Sequence, residues 1–159
     1  MNAGSRPREQ GPLMRAVPVA LILFMAPVAA SGPATPVGTW NQFDDAKGDL
    51  RSVVRIDLVN GELVGTIVKA VLRPNEPPNP TCDKCPDEFK DKPVEGLRFM
   101  WGLKGSGRQY DGGRILDPEN GKIYRVKLTL SEDGQRLDVR GYVGFSLLGR
   151  TQHWVRAGP

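Results

Sequence analysis

The chain has 159 residues, of which 39% are hydrophobic and 25% are charged, with 22 Lys and Arg against 18 Asp and Glu. This length fits one ordinary domain, and the hydrophobic fraction is sufficient for a core, so a disordered chain is excluded. No apolar run reaches the roughly 18 to 20 residues that a membrane-spanning helix needs, which also excludes a helical channel.

Residues 1–30 have the order of a secretory signal peptide. Three arginines form a basic start, an apolar stretch follows at residues 16–28, and Val28-Ala29-Ala30 is typical of a cleavage site. We expect residues 1–30 to be removed and residues 31–37 to form a short linker. The mature protein is then exported and keeps no stable membrane anchor.

The charge of the mature region is nearly balanced. Residues 1–30 hold three arginines and one glutamate, so the remaining 129 residues carry 19 basic and 17 acidic residues. These charges are interspersed, whereas binding to nucleic acid depends on clustered Lys and Arg. We therefore expect no nucleic-acid partner.

From residue 38 onward, apolar residues recur at every second position in short runs that turn residues separate, which is typical of β-strands. Asn60-Gly61 is a strong two-residue hairpin signal. Eight strands are predicted, at residues 39–43, 50–59, 62–72, 97–104, 113–116, 122–130, 136–143 and 150–156.

The order of these strands favours an all-β fold. Eight strands in strict sequence, mostly joined by tight turns, predict an eight-stranded antiparallel up-and-down barrel over residues 38–156. The alternative is a β-sandwich, which needs longer crossing connections than this sequence provides.

One segment, residues 73–96, interrupts the pattern with six prolines and both cysteines. It cannot be a central strand, and its length exceeds the roughly 12 to 15 residues beyond which structureless loops are usually functional. We expect it to lie at one mouth of the barrel as a lid or a partner-binding flap.

Cys82 and Cys85 form a Cys-x-x-Cys pattern in this loop. In an exported protein a local disulfide is favoured, while a redox pair and a metal site remain alternatives. Zinc needs about four ligands, and the other soft donor, His153, is far along the chain. No helix N-terminus is predicted that would activate a redox cysteine. We expect no metal and no cofactor.

Catalytic patterns are missing from the sequence. Any triad must use His153, and the chain has no Gly-x-Ser-x-Gly elbow, phosphate loop or dinucleotide fingerprint. We therefore expect a protein that is not an enzyme.

The first and last strands carry residues suited to closing a barrel. Trp40 follows Gly38 and Thr39 at the start of the first strand, and Arg150 opens the last one. Because these strands are neighbours in a closed barrel, we expect Arg150 to lie over the Trp40 ring in a cation–π contact of about 0.5 to 2 kcal/mol. Arg156 is the second candidate.

These residues carry two resemblances. Gly-x-Trp with an arginine on the closing strand resembles the lipocalin and calycin pattern. The chain as a whole resembles a bacterial exported family of unknown function, which implies a periplasmic or secreted lipocalin-like barrel that holds a small apolar ligand. The motifs that carry this second resemblance are Gly38-Thr39-Trp40, Cys82-x-x-Cys85, Lys92-Pro93 to Gly96-Leu97, Gly113-Arg114-Ile115-Leu116-Asp117-Pro118, Asn120-Gly121-Lys122-x-Tyr124, Val139-Arg140-Gly141-Tyr142 and Leu148-Gly149-Arg150-Thr151-x-x-Trp154.

Two functions follow from this reading. The first is binding of a small hydrophobic or amphipathic ligand in the barrel, although the same side chains can instead fill the interior of an eight-stranded barrel. The second is an envelope interaction scaffold with a filled barrel and no ligand, docking another protein through the proline-rich loop and an exposed Phe89. The predicted ligand-lining residues are Val54, Ile56, Leu58, Phe99, Trp101, Tyr124, Val126, Leu128 and Trp154.

Overall fold

The computed structural model describes residues 1, 2, 4 and 34–158. Nearly all of the predicted signal peptide and residues 31–33 of the predicted linker lie outside the described residues. Eight strands follow one another along the chain: β1 Gly38–Phe43, β2 Leu50–Val59, β3 Glu62–Ala70, β4 Arg98–Ser106, β5 Gln109–Leu116, β6 Ile123–Leu130, β7 Arg136–Tyr142 and β8 Gly149–Arg156.

The strands form a closed antiparallel barrel in the order β1 to β8. Ring closure is made by β1 and β8, where Trp40 is opposite Arg156 and Asn41 is opposite Val155. The predicted barrel is therefore confirmed and the β-sandwich is wrong. The predicted strand starts and ends differ from those of the structure by a few residues, most of all in β5, which begins at Gln109 rather than Gly113.

The two ends of the barrel differ in their connections. At one end, which we call the closed end, short connections at residues 60–61, 107–108 and 131–135 join β2–β3, β4–β5 and β6–β7. The other end, the loop end, carries residues 44–49, 71–97, 117–122 and 143–148. The proline-rich loop therefore lies at the loop end, as predicted, and holds a short 3₁₀ helix at Asp87–Phe89.

Inward side chains mostly follow the alternation of the strands, but irregular pairings interrupt it at several points, and one of these affects β4. The pairing of β3 with β4 is irregular around Gly65, where Thr66 is opposite Arg98 and Gly65 is opposite Met100. A bulge of this kind breaks the two-residue period. Consequently Phe99 and Met100 are both buried, and Trp101 does not share their side of the strand.

Within the described residues, the structure contains no helix with the length and apolar character needed to cross a membrane.

Candidate functional site

The barrel interior brings together six of the nine residues predicted to line a ligand cavity. These six belong to one buried cluster, and the rings of Phe99 and Trp154 stack with their centroids 6.2 Å apart. A side chain that lines a water-sized cavity keeps accessible surface, yet none of the six is more than 5% exposed. This part of the interior is therefore close-packed. The six residues are Val54, Ile56, Phe99, Val126, Leu128 and Trp154.

The other three predicted residues do not belong to this buried cluster. Leu58 stands beside the turn at the closed end and is 60% exposed. Trp101 stacks on Phe89 of the long loop, with ring centroids 5.4 Å apart. Tyr124 lies at the rim of the loop end, where its hydroxyl accepts a hydrogen bond of 3.2 Å from the side-chain amide of Asn120.

Arg156, and not Arg150, closes the barrel over Trp40. Its guanidinium carbon lies 4.3 Å from the centre of the indole ring. Gly38 makes this approach possible, because a Cβ at that position would come within 2.6 Å of the guanidinium. The guanidinium also donates to three backbone carbonyls, those of Gly134, Val37 and Thr35. Burial lowers the pKa of Arg156.

The expectation for Arg150 failed because of strand direction. Strand β8 runs antiparallel to β1, and Arg150 precedes Arg156 by six residues, so the two arginines are roughly 20 Å apart along the strand. Arg150 therefore lies at the loop end, where it forms an exposed ion pair with Asp45.

A layer of polar side chains lies above the apolar interior, toward the loop end. The hydroxyl of Ser52 donates to the side-chain carbonyl of Gln42, and the Gln42 amide donates to Gln152 across 3.2 Å. The indole N–H of Trp154 donates to the same Gln152 oxygen at 3.3 Å. Gln152 also approaches Asp45, at 3.5 Å, which connects this layer to the rim.

Sequence reasoning missed this polar layer, although the signal was present. Gln42 is two residues from Trp40, and Gln152 is two residues from Trp154, so strand alternation places both amides on the inward face. The four residues Gln42, Ser52, Gln152 and Trp154 make the interior amphipathic.

Ion pairs between distant connections form what we call the latch, which consists of Asp44, Arg51, Arg73, Glu76 and Glu119. Arg51, on β2, pairs with Glu76 of the long loop at 2.9 Å and with Glu119 at 3.0 Å. Glu119 belongs to the β5–β6 connection, and β3 and β4 separate β2 from β5 in the ring. The latch therefore joins strands that are not neighbours, at the loop end of the barrel.

A second arginine completes the latch. Arg73 pairs with Asp44 of the β1–β2 connection and lies 3.5 Å from Glu119. The latch thus ties together three of the four connections at the loop end.

The protonation equilibria of the latch favour its charged form. Backbone N–H groups of Lys47 and Ala46, followed by Arg73, hold the pKa of Asp44 below its ordinary value. The backbone N–H of Arg73, together with Arg51, lowers the pKa of Glu76. Burial opposes the charge on Arg51, but hydrogen bonds to Glu76 and Glu119 outweigh it and raise the pKa of Arg51.

The long loop is folded against the barrel and stapled by a disulfide between Cys82 and Cys85, as the sequence favoured. Both cysteines are buried in the same cluster as the interior residues. The backbone oxygen of Lys84 approaches the β5–β6 turn so closely that a Cβ at Gly121 would lie 1.9 Å from it. The long loop therefore covers the part of the loop end that lies beside the β5–β6 turn.

Phe89 is not the exposed docking residue that the scaffold hypothesis requires. It is half-buried against Trp101, and the ammonium group of Lys92 lies 5.9 Å from its ring centre. Its apolar surface is largely used within the chain.

Surface clefts lie near the loop end. One, of about 250 Å³, lies between the β1–β2 connection and the start of the long loop and includes Arg51 and Arg73. Another, of about 230 Å³, lies between β5, β6 and the start of the β7–β8 connection and includes Arg114 and Arg125. No group of three or more metal-ligating side chains occurs in residues 34–158 or the other described positions.

Comparisons with known proteins agree with this geometry. A search of curated proteins finds no match. Among solved structures, protein HP1028 of Helicobacter pylori, described as belonging to the lipocalin family, aligns with a TM-score of 0.66 and 19% identity. The alignment covers 77% of this chain and 82% of that protein, and at this identity it shows the fold.

A family model, DUF2147, described as an uncharacterized protein conserved in bacteria, matches residues 38–156, which is the whole barrel from the start of β1 to the end of β8. The chain belongs to this bacterial family, and its barrel is lipocalin-like.

Proposed function

We propose that this protein is an exported binding protein that takes up a small amphipathic molecule at the loop end of its barrel. The observation that carries the proposal is the polar layer of Gln42, Ser52 and Gln152 above an apolar interior. Buried polar groups are costly unless they are paired, and here the two amides are paired with each other, with Ser52 and with Trp154. An amphipathic ligand matches both parts of this interior.

Each part of the interior has a role in the proposed binding. The two glutamine side chains each offer an N–H donor and a carbonyl acceptor, so they hold an uncharged polar group or a carboxyl group. Arg150 at the rim binds an acidic head group when that group replaces Asp45 as its ion-pair partner. The apolar part of the ligand lies against Phe99 and Trp154.

Binding requires movement, because the interior side chains are close-packed. The stapled loop and the latch lie at the loop end, and surface ion pairs contribute only about 0 to 1 kcal/mol each. Opening the latch is therefore a modest cost compared with unfolding a strand. In the proposal the ligand enters when the latch opens, and aromatic side chains rearrange around it.

The proposal contains no catalytic step. His153 pairs with Asp138 at 2.7 Å on an exposed face, and its side chain is 61% exposed. A binding role also agrees with the lipocalin-like fold, in which a barrel surrounds a ligand.

The proposed location is the periplasm or the extracellular space. Two features support it: the signal-like order of residues 1–30 and a disulfide, which persists in oxidising compartments.

Titration with the amphipathic fluorophore 1-anilinonaphthalene-8-sulfonate tests the proposal. We expect saturable, one-site uptake by the wild-type protein. Gln152→Leu should weaken this uptake roughly tenfold, because a polar contact of about 1 to 1.5 kcal/mol is lost. Gln109→Leu, an exposed glutamine at the closed end, is the matched control. Uptake that is absent, or equally affected by both substitutions, would contradict the proposal.

The second candidate is the scaffold without a ligand, and the burial of the interior favours it. Six predicted pocket residues are at most 5% exposed, as in a filled barrel. The same titration separates the candidates, since a filled scaffold shows no saturable uptake. The partner-binding surface would then have to differ from Phe89, which packs on Trp101.

A further inference from the structure

The connection between β7 and β8 exposes an unusual amount of apolar surface. Within residues 143–148, Val143 is 67% exposed, Phe145 79%, Leu147 89% and Leu148 76%. Single exposed apolar residues are common, but a contiguous group of large ones marks an interaction site. We call these four side chains the apolar tip.

The apolar tip is held in place by polar contacts from the barrel wall. Arg140 donates to the backbone carbonyls of Ser146 at 2.7 Å and Leu147 at 3.2 Å, and to the hydroxyl of Thr151 at 2.8 Å. One arginine thus fixes the backbone of the turn while its apolar side chains project outward. The exposure of these side chains is therefore built into the fold.

Two unpaired arginines lie next to the apolar tip. Arg114 and Arg125 are directly opposite each other on β5 and β6, both are exposed, and neither forms an ion pair with Asp or Glu among the described residues. Like charges directly opposite each other destabilise a sheet, so an anion bound between them is favoured. The cleft between them is also lined by Val143 and Gly144, which makes the basic cleft continuous with the tip.

We propose that the loop end docks on the surface of a lipid bilayer that contains anionic phospholipids. The apolar tip enters the boundary between head groups and acyl chains, and Arg114 and Arg125 contact lipid phosphates, to which guanidinium groups bind strongly. Four apolar side chains on a six-residue turn form a convex projection rather than a flat or concave face. A fluid lipid surface accepts such a projection without a preformed pocket, which favours a bilayer over a protein partner.

This docking goes beyond the proposed ligand binding and does not depend on it. A barrel that binds no ligand has the same apolar tip and the same arginines.

Vesicle flotation of the protein produced from its full-length chain tests the proposal. We expect binding to vesicles of phosphatidylglycerol and phosphatidylethanolamine, weaker binding to phosphatidylcholine vesicles, and weakening by salt. Arg114→Gln with Arg125→Gln should lower the affinity roughly 30-fold, since each basic residue near an anionic surface contributes about 1 kcal/mol. Phe145→Ser with Leu147→Ser should abolish binding to both vesicle types.

Matched controls use the opposite end of the barrel. Leu58→Ser removes an exposed apolar residue there, and Arg55→Gln with Arg108→Gln removes the same charge as the arginine double variant. The wild type and every variant have the same residues 1–30. Any contribution of this segment to vesicle binding is therefore the same in all of them and does not affect the differences between variants. We expect the controls to bind vesicles like the wild type.

A fluorescence measurement shows where the contact occurs. In Phe145→Trp, the new indole should shift to the blue on binding anionic vesicles and be quenched by brominated acyl chains. The proposal is overturned if the wild type does not bind anionic vesicles, or if the tip variant binds them as well as the wild type does. A tip variant that changes only self-association or capture of another protein would also overturn it.

Discussion

The guanidinium of Arg156 lies over the indole ring of Trp40, 4.3 Å from its centre, and joins the last strand of the barrel to the first. The same group donates to three backbone carbonyls at the closed end. The contact joins residues that are 116 positions apart in the sequence. It therefore holds together the first and last strands of the barrel, which no turn connects.

We expect Arg156→Gln to lower the free energy of unfolding by about 2 to 3 kcal/mol, because it removes the cation–π contact and several hydrogen bonds. Arg150→Gln is the control, since it removes one exposed ion pair and should cost under about 1 kcal/mol. Urea denaturation measures both values. A loss for Arg150→Gln as large as that for Arg156→Gln would show that closure does not depend on Arg156.

Weakening the latch should loosen the loop end and leave the barrel intact. In Glu119→Gln, the ion pairs with Arg51 and Arg73 are lost, so amide hydrogen exchange should become faster in residues 71–76 and 117–122. Strands β6 and β7 should keep their protection.

The control for this prediction is Glu132→Gln, which removes an exposed ion pair with Arg108 at the closed end. It should leave exchange at the loop end unchanged. Unchanged exchange in Glu119→Gln would mean that the latch does not hold the loop end together.

The latch also predicts how stability depends on pH. The folded-state pKa values of Asp44 and Glu76 lie below their ordinary values of 3.8 and 4.5, so their stabilisation is complete above these values and is lost as the pH falls through the lowered ones. The free energy of unfolding should therefore fall from about pH 4.5 downward.

The double variant Asp44→Asn with Glu76→Gln should show a shallower fall, because it lacks both groups. Denaturation at a series of pH values checks this. Parallel curves for the wild type and the variant would exclude the latch as a source of the acid sensitivity.

The disulfide should stabilise the proline-rich loop rather than the barrel. In the chain-entropy model, closing so short a loop contributes only about 2 kcal/mol. Cys82→Ala with Cys85→Ala should therefore leave the far-ultraviolet circular dichroism of the barrel unchanged and increase proteolysis within residues 73–96. Complete unfolding of the variant would contradict this division between loop and barrel.

Much of the fold could be predicted because it depends on local patterns. Alternating apolar residues and turn signals such as Asn60-Gly61 are local patterns that span only a few residues. Both strands of the β2–β3 hairpin could be predicted from them. Trp101 could not be placed in this way, because the irregular pairing near Gly65 shifts β4 by one residue and moves that ring to the other side.

The candidate site depended on longer distances and was predicted less well. The predicted antiparallel order already places the start of β1 beside the end of β8 and so favours Arg156 over Arg150, but this signal was not used. Only the exact pairing of Trp40 with Arg156 requires the register. The pairing of Arg51 with Glu119 depends on how connections of distant strands meet at the loop end, a relationship that strand periodicity does not contain. The inward position of Gln42 and Gln152 could have been predicted, because each lies two residues from an inward tryptophan, Trp40 or Trp154.

Native mass spectrometry of the protein purified from the compartment in which it accumulates, followed by denaturing extraction of bound molecules, tests ligand binding without an added probe. We expect a stoichiometric small amphipathic molecule on a chain that has lost residues 1–30 and keeps Cys82 and Cys85 oxidised. An empty monomer that also fails to take up the fluorophore would contradict the account and favour a filled scaffold.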